Sequence, residues 1–175
     1  MTPFAVAPRA TKVVGISDCA ISADPDATLI TYALGSCVAV ALYDPVRKAG
    51  GLLHIILPES QLNPEKAAQN PWMFADTGIP KMLERITQVG ADRRRLIVRL
   101  AGGAQLLDPN GTFNIGKRNI MAVKKMLWKA GLLLTGEAVG GEISRTVRLP
   151  LDSGSFFIRE AGMAEWEMTL KGARR

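Results

Sequence analysis

The chain has 175 residues, 47% apolar and 22% charged, enough to bury one core and too apolar for intrinsic disorder. No apolar run approaches the roughly 18 residues of a membrane span, and the opening lacks the apolar core and cleavage site of a secretion signal, which predicts a cytoplasmic protein with no membrane insertion. The net charge of +6 admits acidic partners, but aromatics at 6%, with no stacking array between basic residues, argue against nucleic acid.

Residues 1–11 carry two prolines and no period, and read as a flexible arm. A single domain is predicted over 12–170, with a basic tail at 171–175. Lys12 to Ile21 reads as one strand, followed by a turn at Ala23-Asp24-Pro25-Asp26 and a strand over Thr28 to Leu34. Val38 to Tyr43 and Gly51 to Leu57 are apolar and β-branched. The turn signal Asp44-Pro45-Val46-Arg47 between them predicts a hairpin. Glu59 to Pro71 is polar and proline-bearing and reads as a loop. A helix follows, with Thr77 near its N-cap, Pro80 in its first turn, apolar residues at helical spacing and Gly90 beyond its end.

Arg95 to Ala101 reads as a strand running into Gly102-Gly103, followed by a turn at Asp108-Pro109-Asn110-Gly111 and a second helix over Gly116 to Ala130. Further strands are expected over Leu132 to Val139, Ile143 to Leu149, Ser155 to Arg159 and Trp166 to Leu170. Adjacent strand pairs with two long helices imply an α+β fold with a mixed or antiparallel, sandwich-like core, not a regular βαβ alternation. Arg93-Arg94-Arg95 reads as a solvated charge run.

Chemistry concentrates where one strand ends and the next begins. Gly35 permits a sharp turn before Ser36 and Cys37, and backbone N–H groups at such a turn can face a substrate oxygen. His54 is the only histidine. With the hairpin turn centred between Pro45 and Val46, Cys37 falls directly opposite His54, within reach of it. The imidazole would then draw the thiol proton, lower the thiol's pKa and later protonate a leaving amine. Thr31, at an even offset from Cys37 on the preceding strand, is a candidate to orient the imidazole. Two cysteines and one histidine are too few for a zinc site, and both cysteines are expected as free thiols in a reducing compartment. Ala101-Gly102-Gly103-Ala104 follows a strand but lacks a phosphate-loop pattern, so it reads as close backbone packing. Asn114 to Asn119 opens a helix and reads as capping plus a solvated basic turn that could shape a substrate surface. Cys19 has no histidine near it in sequence.

Thr31-Tyr32-Ala33-Leu34-Gly35-Ser36-Cys37-Val38-Ala39-Val40, then Asp44-Pro45 and His54 before Leu57-Pro58, resembles the active-site region of the CheD family of chemoreceptor glutamine deamidases. Phe74-Ala75-Asp76-Thr77, Ala101-Gly102-Gly103-Ala104, Asn114-Ile115-Gly116-Lys117-Arg118-Asn119 and Gly140-Gly141 extend the resemblance from about Lys12 to about Arg159. Tyr32 and Ala33 depart from the family's usual smaller or glycine-containing stretch. The resemblance implies hydrolysis of selected glutamines of methyl-accepting chemotaxis receptors through a cysteine thioester. Cys37, His54 and Thr31 would be catalytic, Gly35 and Ser36 substrate-binding, and no cofactor or metal is needed. It also implies a CheC-type phosphatase as a second partner, and a fold similar to the catalytic domain of cytotoxic necrotising factor toxins. Amine transfer in place of hydrolysis, or a non-enzymatic adaptor role, are the rival expectations.

Overall fold

The computed structural model describes residues 10–106 and 110–169. The N-terminal arm up to residue 9, the tail at 171–175, the Asp108-Pro109 part of the predicted turn and Leu170 lie outside the described residues.

Among the described residues, ten strands form two five-stranded sheets. They are β1 (Thr11–Val13), β2 (Asp18–Ser22), β3 (Thr28–Leu34), β4 (Val38–Asp44), β5 (Ala49–Ile55), β6 (Ile97–Gly102), β7 (Leu134–Val139), β8 (Arg145–Pro150), β9 (Phe157–Glu160) and β10 (Trp166–Glu167). One sheet runs β2-β5-β4-β6-β7 and the other β1-β3-β8-β9-β10. Of the three α-helices among the described residues, α1 (Pro64–Gln69) is short, while α2 (Ala75–Gln88) and α3 (Ile115–Lys129) are long. The two long helices and the paired sheets agree with the α+β expectation.

Three layers follow from β4 and β5, whose residues are all buried. Successive side chains on a strand point to opposite faces. Val38, Val40, Leu42, Leu53 and Ile55 turn one way and pack with Ile79, Met82 and Ile86 of α2 and Val123 and Leu127 of α3. Ala39, Ala41, Tyr43 and Leu52 turn the other way and meet Leu29, Leu34, Val147, Leu149, Phe156 and Ile158, largely from the second sheet. A strand that is apolar on both faces shows no alternation, which is why β4 reads as a continuous apolar run. Burying each of these large aliphatic side chains contributes about 1.5–3 kcal/mol.

Several elements differ from the sequence reading for identifiable reasons. Lys12 to Ile21 is not one strand. Gly15 and Ser17, the latter at φ 55°, break it, so β1 pairs with β3 in one sheet and β2 with β5 in the other. The predicted loop at 59–71 holds α1, capped by the Asn63 side chain accepting from the Lys66 N–H. Helix α2 starts at Ala75, two residues before the expected Thr77 cap. Pro80 therefore sits inside the helix, and Thr77 donates to the Pro71 carbonyl instead.

The hairpin between β4 and β5 forms with a different register from the expected one: Ala39, not Cys37, is paired with His54. A two-residue type I turn mismatches the twist of paired strands. Here the loop covers Pro45 to Lys48, with Lys48 at φ 52°. The buried Asp44 carboxylate accepts from the N–H groups of Val46 and Arg47 and from the Arg95 guanidinium. Arg95 is thus a structural partner, whereas Arg94 matches the solvated reading at 88% side-chain exposure.

Candidate active site

Thr31, His54 and Cys37 come from three strands or strand ends around the layer between the sheets. Thr31 is fully buried on β3, in the second sheet. It therefore reaches His54 across the sandwich, not along a shared face of one sheet as its even offset from Cys37 suggested. His54 is 1% exposed on β5. The Thr31 Oγ1 lies 2.7 Å from the Val14 carbonyl and 2.8 Å from His54 Nδ1.

These two contacts fix the imidazole tautomer. The Val14 carbonyl can only accept, so the single hydroxyl proton of Thr31 goes to it. Oγ1 must then accept from Nδ1, which carries the ring proton. The lone pair is left on Nε2, which is buried and has no hydrogen-bond partner. Burial lowers the His54 pKa from its ordinary 6.5 to about 4, so the ring is neutral near pH 7. A neutral imidazole with a free Nε2 lone pair is a proton acceptor.

Cys37 is half-buried just before β4 and packs against the layer between the sheets, the side to which Ala39 turns. Because Ala39 is paired with His54 and Cys37 precedes it by two residues, Cys37 is the diagonal neighbour of His54, not the directly opposed one. The one-step slip on each strand preserves the face, so thiol and imidazole share it. They do not share a hydrogen bond. Burial pushes the Cys37 thiol upward from its ordinary value, partly offset by its own backbone N–H beside the sulfur. This corrects the expectation of a lowered thiol pKa: His54 is uncharged and supplies no cation to stabilise a thiolate. Cys19 lies on the helix-facing side, with its thiol pushed up to about 12 by burial and by Asp18.

The loop leading to Cys37 is held by its carbonyls. Gly35 O accepts from the Ala104 N–H at 2.8 Å and Cys37 O from the Gly103 N–H at 2.7 Å. Ser36 O accepts from the Asn119 side-chain amide at 3.0 Å. Gly102 and Gly116 make this close approach possible. A Cβ on Gly102, at φ 106°, would lie 2.2 Å from the Cys37 carbonyl oxygen, and one on Gly116 would lie 2.4 Å from the Gly103 carbonyl oxygen. The glycine pair that ends β6, Gly102-Gly103, therefore serves backbone packing, as expected. On the open side, Gly35, Ser36 and Cys37 line a cleft of about 470 Å³, with Ala33, Leu106 and Phe113 also on its wall. Ala33, at φ 55°, lies in a bulge of β3 that leaves Tyr32 and Ala33 exposed beside the otherwise buried Thr31.

Two contributors were missed in the sequence. The Val14 carbonyl was hidden because β1 and β2 read as one strand. Asn119 read as part of a solvated basic turn, but it is 0% exposed. Its signal was periodicity: with Gly116, Val123 and Leu127 it makes up the buried residues of α3. Among the described residues no three His, Cys, Asp or Glu side chains cluster as metal ligands.

Fold and site together define a two-sheet α/β domain with a thiol and a neutral imidazole on the same side of its central strands. The family model described as "CheD chemotactic sensory transduction" matches residues 56–160, a segment that begins beyond Thr31, Cys37 and His54. A protein of Solibacter usitatus is 53% identical over 150 residues, 86% of this chain and 89% of that one. One of Syntrophus aciditrophicus is 48% identical over 150 residues, covering 86% and 94%. One of Methanococcus maripaludis is 41% identical over 148 residues, covering 84% and 93%. Each is named as a probable chemoreceptor glutamine deamidase CheD. The chain belongs to the CheD family.

Proposed function

We propose that this chain is a protein-glutamine deamidase acting on methyl-accepting chemotaxis receptors, with Cys37 as nucleophile, His54 as general base and acid, and Thr31 as the group that orients His54. The observation that carries the reading is the Thr31 bridge, which leaves the lone pair of His54 on Nε2.

In this reading a receptor glutamine enters the cleft and Cys37 Sγ attacks its side-chain carbonyl carbon. Nε2 takes the thiol proton as the S–C bond forms. This suits a neutral pair, because the thiolate is generated only as it is consumed. The oxygen gains negative charge and is met by backbone N–H groups of the Gly35-Ser36-Cys37 turn. Nε2–H then protonates the nitrogen, the C–N bond breaks and ammonia leaves a thioester. Water attacks the thioester, giving its proton to Nε2. The C–S bond breaks, the thiolate recovers the proton and glutamate is released. The sequence needs no cofactor.

The same reading places the protein in the cytoplasm, where a CheC-type phosphatase would be its second partner. It also makes the fold similar to that of the cytotoxic necrotising factor catalytic domain. No helix among the described residues is long and apolar enough to cross a membrane. Mass spectrometry of a receptor cytoplasmic fragment, before and after incubation with the protein, tests the reading. Specific glutamines should become glutamates with release of ammonia, and Cys37→Ala should abolish the conversion. No conversion of any cognate receptor by folded protein would overturn it.

A further inference from the structure

Asn119 is a buried amide on α3, surrounded on its own helix face by Gly116, Val123 and Leu127. Its Nδ2 lies 3.0 Å from the Ser36 carbonyl and 3.0 Å from the Ile56 carbonyl. Both acceptors are carbonyls, so the NH2 end must face them and both its protons are used. Its Oδ1 is buried with no partner. A polar side chain left half-satisfied in a core is a poor means of stabilising a fold.

The two carbonyls mark the place where the β4–β5 ladder stops. The last pair is Val38 with Ile55, and the same register continued by one step would put Cys37 opposite Ile56. That pair does not form. The Ile56 N–H donates to the Met73 carbonyl, and the Cys37 carbonyl accepts from Gly103. Asn119 bridges the resulting gap, tying the residue before the thiol to the end of the strand that carries His54.

A planar trans peptide places its C=O and N–H on opposite sides. The carbonyl of Ser36 and the N–H of Cys37 belong to one peptide unit. Holding Ser36 O toward α3 therefore aims the Cys37 N–H away from α3, on the side where it lies against its own sulfur. If the unit rotated, a carbonyl oxygen would replace that N–H beside the reacting atoms. We propose that Asn119 is a positioning residue for the reaction: by pinning the Ser36 carbonyl, it keeps the Cys37 N–H aimed at the oxyanion that forms when Cys37 attacks a glutamine amide. The inference rests on Cys37 being the nucleophile.

The test compares two reactions at the same sulfur. Deamidation builds charge on a carbonyl oxygen and needs the N–H in place. Alkylation by iodoacetamide is a displacement at carbon and builds no such charge. Asn119→Asp, which keeps the shape and loses the donors, and Asn119→Ala are prepared alongside the wild-type chain. The expected result is a kcat for receptor-fragment deamidation lowered by about 10- to 100-fold, toward the loss seen when an oxyanion donor is removed. KM should stay within about threefold and the rate of Cys37 alkylation within about threefold (the range an intact thiol environment allows). A kcat within threefold of wild type in both variants would overturn the proposal, as would kcat and alkylation falling together by the same factor. Failure of both variants to fold would also overturn it, because Asn119 would then be a residue the fold itself needs. The underlying reading fails separately: Cys37→Ala with undiminished deamidation removes the nucleophile, whatever Asn119 does.

Discussion

Replacing Thr31 by valine removes one hydroxyl and keeps the shape of the side chain. The loss strands two buried groups, the Val14 carbonyl and the Nδ1–H of His54, which Oγ1 holds at 2.7 and 2.8 Å. Each stranded group costs about 1–3 kcal/mol. Without Oγ1 nothing holds the ring proton on Nδ1, so the Nε2–H tautomer, which has no lone pair at Nε2 to take a proton, becomes populated as well. The active tautomer must bear the cost, so kcat should fall by about 5- to 150-fold, with KM little changed. Thr31→Ser keeps the hydroxyl and should stay within several-fold of wild type. Because His54 is the only histidine, a ¹⁵N spectrum of histidine-labelled protein reads its tautomer without assignment. At pH 7 the wild type should show a neutral ring protonated at Nδ1, and Thr31→Val should shift toward Nε2–H. A wild-type ring protonated at Nε2, or an unchanged kcat in Thr31→Val, would refute the argument.

Cys37 should alkylate slowly at pH 7 and faster as pH rises above the ordinary thiol range, since burial raises its pKa and His54 is neutral. Peptide mapping should still show it labelled ahead of Cys19, whose thiol is pushed up to about 12. The lowered pKa of His54 means that the unfolded chain binds more protons than the folded one between about pH 4 and 6.5. Stability should therefore rise with pH across that window, by on the order of 3 kcal/mol in all. Urea unfolding at pH 5 and pH 7 reads the upper part of it, about 2 kcal/mol, and His54→Gln should flatten the difference. Gly102→Ala forces a φ of 106° on a residue with a Cβ and drives that Cβ into the Cys37 carbonyl. It should cost about 1–3 kcal/mol of stability from the backbone conformation alone and lower deamidation further than the Tm shift explains.

Apart from β1 and β2, which read as one, the strands, the two long helices and the hairpin were legible because each rests on local signals: an apolar run bounded by turn residues, or a helical period closed by glycine. Cys37 and His54 stood out as chemistry-bearing residues on adjacent strands, and the shared face survived the register error because the slip is one step on each strand. The register itself was not legible. It depends on Lys48 adopting a left-handed conformation, which neither its type nor its neighbours announce. Thr31's route to His54 was hidden for a different reason: distance across a sandwich is a property of packing, not of spacing along one strand. The Val14 carbonyl has no side-chain signature at all. Asn119 carried a signal, a polar residue at a core position of a helical period, but the basic residues around it masked that position.

The bridge from Thr31 to His54 joins one sheet to the other, so the thickness of the sandwich is a dimension of the proposed site. A hydrogen bond tolerates a few tenths of an ångström before it weakens, whereas apolar side chains between the sheets can loosen by more and still exclude water. Swelling of the layer formed by Leu29, Leu52, Leu149 and Phe156 would therefore disconnect the imidazole before it dissolves either sheet. On warming, turnover should vanish while the strands still give their far-ultraviolet signal, and the histidine resonance should report the parting of the sheets ahead of any global unfolding.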